Sequence, residues 1–296
     1  MRVLVTGGAG FVGSNVVDAL LGKGHEVVVL DDLSTGDRAN VAFGVELLEA
    51  DVSDGRAVRR AISRQRFDAV AHFASKTKVG QSVEQPDLYR RVIVDGTKNV
   101  VDAARLAGAK RFVNVSSGGV MYGETSSCAT EEAEVRPVSP YGKYKAEAER
   151  IVAGAGISSL TLRPANIYGP RQRTDLEGGV VAIFMQRWRD RKPLQVRGGG
   201  TMERDYVFVG DIAEATIAAL SSDLQGTYNI GTGVPTSVNA LVEAMTAVLG
   251  PPPGIERVPA LAGELARNCL DASKADRDGL WRPRYTLAEG LRRTLE

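Results

Sequence analysis

Cysteine is nearly absent from this chain, charge of one sign does not accumulate, and no apolar run is long. The two cysteines, Cys128 and Cys269, lie far apart and have the spacing of neither a metal site nor a redox motif. Two reduced thiols in a reducing compartment are the expectation, and no metal site is expected. Lysine and arginine (37) balance aspartate and glutamate (36), so the net charge of +1 offers no global field to recruit nucleic acid or an anionic membrane. Basic runs are short: Arg187 to Lys192 is interrupted by Trp188 and Asp190, as on a solvated helix face. No stretch approaches the ~20 apolar residues that span a bilayer. Internal repeats and low-complexity tracts are also missing. The sequence opens on Arg2-Val3-Leu4-Val5-Thr6, which reads as a buried strand rather than a signal peptide. The expected location is the cytoplasm.

What is present is an ordinary globular mixture, 43% hydrophobic and 25% charged, over 296 residues, enough to bury a large core. Short apolar runs at 3–6, 26–30, 45–48, 69–73 and 112–115 read as strands. Helical stretches separate them: one carries Val12, Val16 and Leu20 on a single face, and others lie near 55–64 and 87–107. Strands alternating with helices predict a parallel sheet covered on both faces. Right-handed crossovers then give a Rossmann-like, doubly wound α/β fold. The second half is less regular. Residues 160–163 read as a strand, Gly178-Gly179 opens an apolar helix through Phe184 and Trp188, and Gly198-Gly199-Gly200 is a turn before a strand at 205–209. Asp211 is placed to cap the helix that follows. This predicts a first domain over 1–165 and a smaller mixed C-terminal substrate lobe over 166–296, with about 205–232 returning to the first domain.

Gly7, Gly10 and Gly13 stand between the first strand and the first helix, where a dinucleotide site needs them. Gly7 permits the tight turn, Gly10 lets backbone approach a pyrophosphate, and Gly13 lets helix pack on strand. The helix N-terminus then offers free N–H groups to the phosphates. Asp31 ends the second strand, 18 residues after Gly13. A carboxylate there accepts from the adenosine ribose 2′-hydroxyl and repels a 2′-phosphate, which selects NAD over NADP. The alternative for Asp31 is a loop-capping aspartate, and Asp32 beside it is a second candidate for the cofactor contact. Asp51, after the third strand, is placed either to meet the adenine or to cap a helix. The cofactor set read here is Gly7, Gly10, Phe11, Val12, Asp31, Asp51, Val52, Phe73, Ala74 and Lys145.

Tyr141 and Lys145 are four apart in a helix-forming stretch, so both share one face. A tyrosine of ordinary pKa, about 10, is a poor base at neutral pH. A lysine cation beside it, with the positive nicotinamide, is expected to lower that value. Such a tyrosine can take a hydroxyl proton while hydride leaves to NAD.

These features together resemble the extended short-chain dehydrogenase/reductases, and within them the UDP-glucose (UDP-galactose) 4-epimerases and related nucleotide-sugar epimerases. The resemblance covers essentially the whole length. Leu30-Asp31-Asp32-Leu33-Ser34-Thr35-Gly36, His72-Phe73-Ala74 and Ser116-Ser117-Gly118-Gly119-Val120-Met121-Tyr122-Gly123 carry it in the first half. Leu162-Arg163-Pro164-Ala165-Asn166-Ile167-Tyr168-Gly169-Pro170-Arg171, Arg204-Asp205-Tyr206-Val207-Phe208-Val209 and Tyr228-Asn229-Ile230-Gly231 carry it in the second. The resemblance implies that Tyr141 is the base and that Lys145 holds the nicotinamide ribose. It implies that Asn166 contacts a substrate diphosphate and that Arg204 grips a phosphate, for which a guanidinium fork is suited; a salt bridge to Asp205 is the alternative for Arg204. It also implies a homodimer built on the helix near 87–107 and the helix after Tyr141, for which Val94, Val101, Ala104, Ala148, Ile151 and Val152 could supply apolar contacts or else face the sheet.

Three positions depart from the family pattern. The usual catalytic Ser/Thr aligns with Gly118, so Ser117 or a water would have to orient the sugar hydroxyl; alternatively Ser117 bonds backbone at the strand end. Alternation along a strand lets at most one of Ser116 and Ser117 face the pocket. An Asn common near the cofactor is Ile93, and an Arg that often binds the diphosphate is Leu261. The acidic pair of related 4,6-dehydratases is replaced by Gly119-Val120. The favoured function is an NAD-dependent nucleotide-sugar 4-epimerase of UDP-hexose type, with catalytic Tyr141, Lys145 and Ser117 and substrate contacts from Ser117, Tyr141, Asn166 and Arg204. A 4-ketosugar reductase and a non-catalytic nucleotide-binding protein are the alternatives.

Overall fold

Strand β1 (Arg2–Thr6) lies at the centre of the molecule, with Val3, Leu4 and Val5 all buried. The computed structural model describes residues 1–176, 179–260 and 265–295. β2 (Glu26–Asp31), β3 (Glu46–Glu49), β4 (Ala69–His72), β5 (Arg111–Val115) and β6 (Ser158–Pro164) join β1 in one sheet. The chain then leaves it through β7 (Asn166–Tyr168), β8 (Leu194–Arg197) and β9 (Glu203–Phe208), and comes back with β10 (Gly226–Ile230). All seven strands run parallel in the order β10-β6-β5-β4-β1-β2-β3. The order reverses between β1 and β4, the point at which a doubly wound sheet opens a crevice at its carboxyl edge.

The two faces of the sheet follow from the two-residue period of a strand. Val3 and Val5 pack with Val16, Val17 and Leu20 of α1 (Phe11–Gly22). Leu4, Val28 and Val70 pack on the other side with Val58 and Ile62 of α2 (Gly55–Ile62). The chain next forms α3 (Val79–Glu84) and α4 (Pro86–Arg90), which runs through a wide turn at Arg91–Asp95 into α5 (Gly96–Leu106). α5 and α6 (Pro140–Ala153) share the α2 face, through Val100, Val101 and Val152. Both faces being covered explains why these strands read as unbroken apolar runs.

α7 (Val180–Arg189) opens the smaller lobe, and α8 (Val209–Ser221) goes back to the α1 face of the large sheet. β11 (Pro235–Ser237) leads into α9 (Val238–Leu249), then β12 (Ile255–Val258) and β13 (Arg267–Asn268). β9 is the centre of a small mixed sheet: β11 pairs with it antiparallel, β7 and β13 parallel, while β8 and β12 pair separately. Phe184, Leu194, Val196, Phe208, Leu241 and Met245 form the core of this lobe. Among the described residues no helix is long and apolar enough to cross a membrane. The expected role of Gly178 falls outside the described residues.

Two expectations, on Asp211 and on the cysteines, are corrected, and for six apolar helix residues the intramolecular alternative holds. Asp211 does not cap a helix, because α8 begins two residues earlier at Val209; its carboxylate instead accepts from the backbone N–H groups of Arg284 (3.0 Å) and Tyr285 (3.3 Å). Val94, Val101, Ala104, Ala148 and Val152 are buried within the single chain, and Ile151 is partly buried against the same core, so they are not free to form a bundle between copies. The cysteines are not free thiols: Cys128 and Cys269 form a disulfide. A bridge between Ala129 and Leu270, with Ala129 N–H donating to the Cys269 carbonyl at 2.9 Å, lays the two cysteine segments side by side. The 141-residue separation concealed this in the sequence.

A cross-link closing so long a loop restricts the unfolded chain strongly. Cys128→Ser is therefore expected to lower unfolding free energy by about 2–5 kcal/mol. Urea melts of variant and parent check this, with a thiol assay in denaturant on the untreated protein; two free thiols and coincident melts would remove the cross-link.

Candidate active site

A cavity of about 1030 Å³ opens at the carboxyl ends of β1 and β4. Gly7, Gly10, Phe11, Val12, Asp31, Val52, Phe73 and Ala74 line one end of the expected set, and Ser117, Tyr141, Lys145, Asn166 and Arg204 the rest. The turn after β1 is as tight as the sequence required. Gly7 has φ +70°, and a Cβ there would lie 2.7 Å from the Ala74 nitrogen. A Cβ on Gly13 would collide with the Gly7 carbonyl oxygen, so α1 can sit this close to β1 only without one. The first turn of α1 has no side-chain cap, which leaves donor groups facing the cavity. The cradle thus fits a dinucleotide pyrophosphate.

Asp31 is buried and accepts from Ala9 N–H at 3.0 Å and Leu33 N–H at 2.9 Å. Burial pushes its carboxyl above the ordinary range, and the two backbone donors pull the other way. Asp32 is spent on Ser34, accepting from its N–H at 2.9 Å and its hydroxyl at 2.7 Å. Asp51 is exposed and accepts from Ser53 N–H at 2.8 Å; its neighbour Val52 lines the cavity, and Asp54 caps α2.

α6 starts where Ser139 accepts from Gly142 N–H at 3.1 Å and Pro140 takes the first turn. That start sets Tyr141 and Lys145 against the cavity, with the Lys145 ammonium 6.0 Å from the Tyr141 ring centre. Lys145 donates to the Val115 carbonyl at 3.1 Å. The expected lowering of the Tyr141 pKa by Lys145 is not found. Burial pushes the phenol up to about 12, and the hydrogen bond with Ser117 opposes it. Burial also presses Lys145 down to about 8, with the Glu149 charge opposing. Desolvation of both groups outweighs their mutual attraction. On β4, His72 is held between Thr6 (2.6 Å) and Thr97 (3.1 Å), and burial pushes it down to about 3, so it is neutral.

Ser116 and Ser117 both belong to the cavity wall. Extended backbone continues through them beyond β5, with Ser116 N–H donating to the Leu162 carbonyl at 2.8 Å. The Ser116 hydroxyl is buried without a partner, while Ser117 lies near enough to the Tyr141 phenol to oppose the rise of its pKa. Gly118 faces away from the pocket: a Cβ there would strike Leu270 and lie 3.1 Å from the Arg163 carbonyl oxygen. The absent hydroxyl is therefore not a hole in the site.

Asn166 donates to the Asp205 carbonyl at 3.2 Å. Arg204 donates to the Glu203 carbonyl at 2.8 Å and is not paired with the Asp205 carboxylate, which accepts from Thr232, Gly233 and Leu270. Ile93 packs with Tyr89, Tyr141 and Ala148. Leu261 lies outside the described residues. The sequence reading did not single out Tyr206, whose buried hydroxyl has no partner, or Gln195 and Arg197. The alternation of β8 carried that signal: Leu194 and Val196 are core, and Gln195 and Arg197 turn to the cavity.

A doubly wound sheet with this glycine turn and a buried Tyr–Lys pair defines a dinucleotide-dependent oxidoreductase-type fold. Over residues 3–231 the chain matches the NAD dependent epimerase/dehydratase family, and it belongs to that family. It is 38% identical to a UDP-glucose 4-epimerase of Mycolicibacterium smegmatis, over 100% of this chain and 98% of that one. The structure is similar to that of the Thermus thermophilus UDP-glucose 4-epimerase complexed with NAD, with TM-score 0.93, 40% identity, and coverage of 100% and 98%. It is equally similar to the Thermotoga maritima UDP-glucose 4-epimerase with UDP-glucose, with TM-score 0.94, 35% identity, and coverage of 100% and 97%.

Gly118→Ser tests the geometry of the missing hydroxyl. It is expected to destabilise the protein by about 1–3 kcal/mol through overpacking against Leu270, without raising turnover. Thermal melts and steady-state rates check this; a faster, equally stable variant would show that position 118 reaches the pocket.

Proposed function

We propose that the protein is an NAD-dependent nucleotide-sugar 4-epimerase acting on a UDP-hexose. The observation that carries the reading is the convergence of Tyr141, Lys145 and Ser117 on one cavity with the glycine cradle. In this reading Gly7, Gly10, Phe11, Val12, Asp31, Val52, Phe73, Ala74 and Lys145 hold the cofactor. When bound, NAD supplies a hydride acceptor for C4 and a positive charge that draws the Tyr141 pKa down from its buried value. Tyr141 accepts the C4 hydroxyl proton, as a general base. Ser117, beside the Tyr141 phenol, orients that hydroxyl. The Lys145 ammonium favours the phenolate. Arg204 and Asn166 hold the diphosphate while the 4-keto sugar turns in the cavity, so that the opposite face of C4 would be presented to the cofactor, which would give its hydride back there. Tyr141 then returns its proton to the C4 oxygen, and only the configuration at C4 has changed. Gly119 and Val120 line the cavity where a dehydratase needs an acid and a base, which favours epimerisation over elimination. We propose a two-fold homodimer as the assembly, the commonest closed form; the polar outer faces of α5 and α6, with Lys98, Asp102 and Arg150, would carry its contacts.

The direct experiment is incubation with UDP-glucose and with UDP-galactose, following C4 configuration by NMR. Each should convert into the other, and Tyr141→Phe should fold normally and lose roughly 10²-fold or more of turnover. A Tyr141→Phe protein of near-parental rate would remove Tyr141 as the base.

Cofactor choice follows from Asp31. NAD should bind much more tightly than NADP, whose 2′-phosphate meets a buried carboxylate. Calorimetric titration with each cofactor decides it, and equal affinities would count against Asp31 as the selector.

A further inference from the structure

Tyr141, Lys145 and Glu149 stand one turn apart along α6. Behind Lys145, Glu149 meets Arg163 of β6 in an ion pair whose side chains are only 11% and 8% exposed. The contact is bidentate: Nε donates to Oε1 at 3.0 Å and Nη2 to Oε2 at 2.6 Å. The remaining Nη1 donates to the Tyr122 hydroxyl at 2.7 Å, which in turn donates to Asn229 Oδ1 of β10 at 2.8 Å. One guanidinium therefore joins the helix of Tyr141 and Lys145 to the segment that follows Ser117. Its own strand runs directly into Pro164, Ala165 and Asn166, which line the cavity. Apolar residues of similar volume often serve stability as well as a buried ion pair does, so stability alone is a weak reason for this one.

We propose that Glu149, held by Arg163, is a positioning residue for Lys145: it fixes the register of α6 and sets one negative charge a helical turn behind the ammonium, keeping Lys145 charged across the working pH range. The inference rests on the role given to Lys145 above. The titratable groups around Lys145 are few. Tyr141 shares its helix, Tyr89 of α4 stands edge-on to Tyr141 at 6.4 Å, and His72 faces it from β4. His72 is neutral and both phenols are protonated at neutral pH, so Glu149 is the anion of the group. Burial presses Lys145 toward its neutral form, and Glu149 is the charge that resists.

The test is a pH titration of the Lys145 ammonium in the NAD-loaded protein by ¹⁵N NMR, with Lys145→Arg for assignment, beside the pH profile of turnover. Glu149→Gln should lower the Lys145 midpoint by about half a pH unit or more. The alkaline limb of turnover should move down with it, and Glu149→Asp, which keeps the charge, should restore both. If Glu149→Gln leaves Arg163 unpaired and does not fold, Arg163→Met keeps Glu149 and removes the cation that offsets it, and the Lys145 midpoint should then rise instead of fall. A folded variant with an unmoved Lys145 midpoint overturns the proposal. A shifted midpoint in a protein that epimerises no nucleotide sugar upholds it and fails the functional reading instead.

Discussion

Backbone meets backbone at the floor of the cavity, and the rest of the site is arranged around that contact. Gly7 approaches the Phe73–Ala74 peptide so closely that a single methyl would part them. The approach is possible because β1 and β4 are hydrogen-bonded neighbours although the chain visits β2 and β3 between them. From this follow the free first turn of α1 above the crevice, the position of Asp31 at the end of β2, and the alignment of β5, which brings Ser117 to Tyr141. Shifting β4 by one residue would turn His72 out of its bonds with Thr6 and Thr97 and reverse which residues face each layer of helices.

The electrostatics of the site are dominated by the loss of water rather than by pairing. Burial is the largest cause that raises Tyr141 and lowers both Lys145 and His72. The ligand-free protein thus holds a protonated phenol beside an amine whose charge is held against the cost of burial. On the function proposed above, a cationic ligand at the phenol face would draw the phenol down, and proton abstraction would be confined to the loaded protein.

Much of this was legible in the chain. The apolar strands, the glycine turn, Asp31 and the Tyr141–Lys145 spacing are local patterns, and local patterns survive in sequence. Strand ends were displaced by a residue or two, as at β3 and β9, because hydrogen-bond partners set the ends and apolar runs do not. The failures were all long-range. The Cys128–Cys269 bond, the use of Asp211 by Arg284 and Tyr285, and the direction of Gly118 each depend on an element far away in the chain. The pKa of Tyr141 was misjudged for a related reason: the sequence names its neighbour Lys145 but not the depth at which both are buried.

The return of the chain to the large sheet has a consequence for how such a protein can change. β7, β8 and β9 lie in the smaller lobe, yet α8 packs on α1 and β10 extends the sheet beyond β6. The smaller lobe is therefore threaded through the larger: the chain enters it after β6, returns for α8 and β10, and enters it again with β11 and α9. It cannot be exchanged as a cassette by a single recombination, since one crossover would strand an edge strand and a covering helix. Change is instead open residue by residue at cavity-facing positions such as Gln195, Arg197 and Tyr206, while Gly7 and Gly13 leave no room for a side chain in the dinucleotide half.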